Sequence, residues 1–144
     1  MIAFAWPQGN SGALTTSWDD GTQADRRLVT ILNSHGLKGT WNLNSGKLGI
    51  DATQSGWKGY IAAAEVGWLY ADHEVACHSV THPVLCQLLD EGVQREILED
   101  RRRLEQLAGY PVRGMSLPFG AGDSRVRDVL RRCGIVHVRT VRSI

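Results

Sequence analysis

Short apolar runs alternate with longer stretches of helical period along this chain, and that alternation restricts the fold more than any other property of the sequence. Strands are predicted over residues 13–18, 39–43, 74–77, 112–117 and 135–138. Between them, helices are predicted over 23–34, 57–71, part of 85–108, and 123–133. Leu28, Val29, Ile31 and Leu32 keep helical spacing, with Gly36 a plausible stop. Val93, Ile97, Leu104 and Leu107 fall on one helical face, and Asp123 suits a helix start. Repeated strand–helix units imply an α/β fold with a largely parallel sheet. In such sheets reactive groups gather beyond the carboxyl ends of the strands.

At 144 residues the chain has room for one core, so residues 1–144 are expected to form a single domain. A net charge of +1 gives no electrostatic reason to expect nucleic acid or membrane as a partner. Arg101-Arg102-Arg103 and Arg131-Arg132 fall on predicted helices among Glu96, Glu99, Asp100 and Glu105, which reads as a solvated, ion-paired face. Residues 1–7 lack the charged and apolar regions of a signal peptide, and a cytoplasmic location is expected. Cys77, Cys86 and Cys133 form no CxxC pair and are expected to be reduced.

Two clusters close predicted strands. Ser17-Trp18-Asp19-Asp20-Gly21 places two carboxylates side by side, and His78-Ser79-Val80-Thr81-His82-Pro83 places two imidazoles four residues apart. Together they offer two nitrogen ligands, one carboxylate ligand and a spare carboxylate, the inventory of a metal-dependent hydrolase. In extended chain the histidine Cα atoms would lie about 13 Å apart. One helical turn would bring them to roughly 6 Å, so convergence requires a turn. Pro83 could end it. Each cluster has a plain alternative: surface histidines opening a loop, and an aspartate capping the helix near Gln23. Their joint placement at strand ends favours the metal site.

The chain resembles the polysaccharide deacetylase (NodB-homology) family of carbohydrate esterases. Ser17-Trp18-Asp19-Asp20-Gly21 is similar to that family's T-F-D-D-G motif, and His78 to Pro83 matches H-[ST]-x-x-H-P. Gly39-Thr40-Trp41-Asn42-Leu43-Asn44-Ser45-Gly46 resembles the second-strand segment. Gly109-Tyr110-Pro111 with Met115-Ser116-Leu117-Pro118-Phe119-Gly120 resembles the third motif region. The resemblance implies an irregular (β/α) barrel, here of about five units and truncated at its carboxyl end, with an open edge that a second copy of the chain could complete. It also implies that Asp20, His78 and His82 bind a divalent metal, zinc first, with cobalt or nickel as alternatives. Asp19 would be the general base on the attacking water. Phe119, with Pro118 and Ser116, would line the substrate and oxyanion side. The implied activity is metal-dependent hydrolysis of N- or O-acetyl groups on a carbohydrate, a carbon–nitrogen hydrolase outside the peptidases. The alternatives are an impaired metal-binding fragment and an amidase for a small linear or cyclic amide.

Two departures stand out. Where the family carries a base-orienting arginine, this chain has Ser116, whose neutral hydroxyl cannot supply the same charge-assisted bond. Arg113 would point to the opposite face, so Asp19 is expected to be positioned by Ser116 or by backbone groups. The family's late histidine acid falls beyond the segment matched by residues 138–141. Protonation of the leaving group, commonly worth about 10²–10⁴-fold, is therefore expected to lack its usual donor.

Overall fold

The computed structural model describes residues 9–141; residues 1–7, discussed above for signal character, lie outside the described residues. Five strands form one sheet in the order β1 (Thr16–Asp20), β2 (Gly39–Leu43), β3 (Glu74–Cys77), β4 (Gly114–Ser116) and β5 (His137–Arg139). Every pairing is parallel. The expected α/β architecture is therefore observed, with strands adjacent in the sheet in chain order. Sheet order puts β1 and β5 at opposite edges, yet the Arg139 guanidinium on β5 bonds Ser17 and Asp19 on β1. The sheet is curled into a half-barrel. A cavity of about 210 Å³ remains between its edges, lined by Thr15, Ser17, Asn42, Met115, Val138 and Arg139 among others.

Helices cover the convex face. α1 (Asp25–Ser34) buries Val29 and Leu32, and α4 (Asp90–Ala108) buries Val93, Ile97 and Leu104. These are the apolar positions that helical spacing selects. α4 ends at Gly109, whose φ of 78° closes the left-handed cap that favours glycine. α5 (Ser124–Arg132) starts at Asp123, which accepts from the Val126 N–H at 2.8 Å. Trp41 is fully buried between the sheet and the following segment, with ring centroids 6.4 Å from Trp18 and 5.1 Å from Tyr70.

Three boundaries differ from expectation. β1 starts at Thr16 rather than residue 13, because its register with β2 begins at Thr16↔Gly39. β4 shrinks to three residues, and β5 moves to His137–Arg139. The largest difference is the helix expected over 57–71. A short helix α2 (Ala52–Ser55) precedes this segment, which itself holds an extended stretch at Tyr60, a 3-10 turn at Ala63–Glu65 and the one-turn α3 (Val66–Leu69). Its backbone is used elsewhere. Tyr60 N–H donates to Ile50, Ile61 N–H donates to Gly21, and the Gly59 carbonyl accepts from Gln23. A helix would have to give up each of these bonds. No helix among the described residues is long and apolar enough to cross a membrane.

Candidate metal centre

Four non-glycine residues among those described have positive φ: Asp20 at 80°, Ser79 at 66°, His82 at 65° and Phe119 at 57°. All four stand where β1, β3 and β4 run into their loops. Left-handed backbone is costly for residues with a Cβ, and it persists where the surroundings fix it. At Asp20 the turn, continued by Gly21 at 74°, breaks the strand's alternation and lets neighbouring carboxylates serve one site. Neither aspartate caps α1, whose first turn has no side-chain cap.

The loop after β3 bends through Ser79 and His82 instead of making the helical turn considered above. Its buttress is the end of β2. Asn44 Nδ2 donates to the carbonyls of His78 at 2.5 Å and Ser79 at 2.9 Å, and Gly46 N–H donates to the Val80 carbonyl at 3.1 Å. The Ser79 hydroxyl accepts from the His82 N–H at 3.1 Å. Asp100 is completely buried beneath the loop and accepts from the N–H groups of Ser45 at 2.8 Å and His78 at 3.1 Å. The solvated face expected for Asp100 is thus incorrect. It lies three residues after Ile97 and four before Leu104, on the apolar stripe of α4. The rest of that expectation holds for Arg103–Glu99 and Arg101–Glu105, which pair at 2.9 Å.

These constraints bring three donor atoms together. His78 Nε2 and His82 Nε2 are 3.1 Å apart, and Asp20 Oδ1 lies 3.7 and 3.6 Å from them. Tetrahedral zinc with ligands near 2.1 Å requires donor separations of about 3.4 Å, so the set fits such a cation. His78 Nδ1 lies 2.8 Å from the Ser116 carbonyl, which can only accept, so Nδ1 carries the proton and Nε2 presents its lone pair. Burial lowers the pKa of both imidazoles, that of His82 further through its neighbours His78 and Lys47, and so favours the neutral form a ligand needs. At Asp20 burial opposes ionisation. The Lys58 ammonium, 2.5 Å from Oδ2, and the two histidines outweigh it and hold the carboxyl below its usual value. Lys58 was not legible beforehand, because its segment reads as helix.

Asp19 sits beside this set and is held from two other strands. Asn42 Nδ2 on β2 donates to its Oδ1 at 3.0 Å, and Arg139 on β5 bonds both carboxylate oxygens. Ser116 is buried, and its hydroxyl meets Arg139 at 2.7 Å. Arg139 escaped sequence reasoning; its place at the carboxyl end of a strand was the available signal. Pro118 is buried, whereas Phe119 is 65% exposed and packs edge-on against His82 with centroids 4.6 Å apart. His35, His73 and His137 lie elsewhere: His35 caps α1, His73 accepts from the Gly39 N–H, and His137 pairs with Glu74. Cys77, Cys86 and Cys133 are free thiols. Burial, reinforced by the nearby Asp100 charge, pushes the Cys77 thiol well up and makes it a poor nucleophile.

A family model described as polysaccharide deacetylase matches residues 7–138. No curated protein matches the chain. Among solved structures, IcaB from Ammonifex degensii is similar with a TM-score of 0.81 at 18% identity, covering 98% of this chain and 70% of that one. BC0361, a polysaccharide deacetylase from Bacillus cereus, gives 0.79 at 16% identity, covering 92% of this chain and 41% of its own. BA3943 from Bacillus anthracis, described as a family 4 carbohydrate esterase (CE4) pseudoenzyme, gives 0.69 at 19% identity, covering 89% and 43%. The chain spans about half the length of several solved structures it resembles, including 51% of a Streptococcus pyogenes deacetylase.

Proposed function

Because the chain belongs to the polysaccharide deacetylase family, we propose that it hydrolyses acetyl groups from a carbohydrate with a divalent metal, zinc first among candidates, held by Asp20, His78 and His82. The observation that carries this reading is the convergence of those three donor atoms next to a carboxylate that is not one of them. A cation bound there would polarise the acyl carbonyl and acidify water. Asp19 takes the proton of the attacking water. The water oxygen bonds to the acyl carbon, the bond to the sugar nitrogen or oxygen breaks, and the leaving atom takes up the proton that Asp19 accepted. Phe119 offers an exposed aromatic face to a sugar ring, and the backbone turn at Pro118-Phe119 supplies the oxyanion side.

The test is metal stoichiometry followed by acetate release from acetylated chito-oligosaccharides. One zinc per chain, lost in His78→Ala, is expected. Turnover that falls at least about 100-fold in Asp19→Asn is expected with it. Metal binding without Asp19-dependent turnover would replace this reading with that of a non-catalytic metal-binding relative. One observation favours that second reading: the similarity to a protein described as a pseudoenzyme. Turnover on small amides but not on sugars would shift the substrate class and leave the chemistry in place.

A further inference from the structure

We propose that Arg139 is the positioning residue for Asp19, supplied across the open edge of the sheet by β5 and seated there by Ser116. The inference rests on the reading of Asp19 as the base. Its Nη2 bonds both oxygens of Asp19 and the Ser116 hydroxyl, while Nε donates to Ser17 Oγ at 3.0 Å. An isolated surface ion pair of this kind contributes little orientation, because both side chains rotate freely. Here the guanidinium is fixed at two further points, on β1 and β4. The carboxylate has a second donor in Asn42, which also bonds Ser17 Oγ at 2.9 Å and the Trp18 carbonyl at 3.0 Å.

This arrangement distinguishes the two oxygens of Asp19. Among the described residues, Oδ1 accepts from both Asn42 and Arg139, whereas Oδ2 accepts from Arg139 alone. Oδ2 is therefore the oxygen with capacity left for an incoming proton. Ser116 now has a reason of its own. Its hydroxyl is small enough to admit a side chain from the next strand, and its oxygen takes up one guanidinium N–H. A long cation at 116 would place two guanidinium groups on one carboxylate. Positions 116 and 139 are register partners in the β4–β5 pair, so each can present a side chain to the same place.

The experiment is an exchange of the two residues in the metal-loaded protein, read by kcat and KM for acetate release. Arg139→Met and Arg139→Ser should lower kcat about 10- to 100-fold with KM changed less than about 3-fold. Arg139→Lys should recover only part of the loss. Combining Ser116→Arg with Arg139→Ser should restore kcat to within several-fold of the parent. Unchanged kcat in Arg139→Met, or an exchange variant no better than Arg139→Ser, would overturn the proposal. A second readout does not need turnover. The 15N-labelled Arg139 Nε–H should give a slowly exchanging signal that shifts in Asp19→Asn; a signal indifferent to Asp19 would overturn the proposal. If the parent releases no acetate, the deacetylase reading fails on its own and the Arg139 signal still decides the placement.

Discussion

Burial holds the Asp100 carboxyl up at about 7, although the N–H groups of Ser45 and His78 point at its oxygens and favour the charged form. In the unfolded chain the same group ionises near 3.8. The folded state therefore binds more protons between these values. Stability tied to Asp100 is full below about 4 and is lost as pH rises to about 7, at up to about 1.4 kcal/mol per pH unit. Denaturant unfolding of metal-free protein from pH 5 to 8 should show a steeper decline for the parent than for Asp100→Asn. Parallel slopes would refute the assignment. Asp100 also shows how two sequence signals can conflict: its charge, among Glu96, Glu99 and Arg101, suggests water, while its spacing from Ile97 and Leu104 puts it inside. Spacing prevailed because a backbone donor of the loop after β3, His78, and one of its buttress after β2, Ser45, needed an acceptor there.

At the scale of elements, the metal loop depends on how closely the end of β2 approaches it. A Cβ added at Gly46 would lie 2.6 Å from the Val80 carbonyl oxygen, a backbone atom that can retreat only by moving the loop between the two histidines. Gly46→Ala should weaken zinc binding at least about 10-fold, equivalent to about 1.4 kcal/mol, while helix content by circular dichroism stays intact. Unchanged affinity by calorimetry would show that the loop adapts. Elements whose backbone bonds stay internal, such as α4 and α5, were legible from periodicity and caps. The segment 57–71 was not, since Ile61, Val66 and Leu69 give an acceptable helical pattern while Tyr60 and Ile61 spend their N–H groups on distant loops. Periodicity reports which side chains are buried and is silent on where backbone donors go.

For the whole molecule, the parallel half-barrel followed from the strand–helix alternation, and the placement of Asp20, His78 and His82 followed from motifs at strand ends. The curl did not, because closing β5 toward β1 is a relation between residues 120 positions apart. Arg139 became visible only with that curvature. The same curvature gathers every described non-glycine residue of positive φ at one end of the sheet. Each costs about 1 kcal/mol or more relative to glycine at that conformation. A library of variants selected for heat resistance alone should therefore drift toward glycine at 79, 82 and 119 and lose zinc as it does so. One selected for zinc retention should keep these residues and recover stability elsewhere, first in the convex-face core. Sequencing both populations would reveal whether this protein's tolerance to mutation is divided between its two ends, and a library gaining glycine equally at other loop positions would argue that it is not.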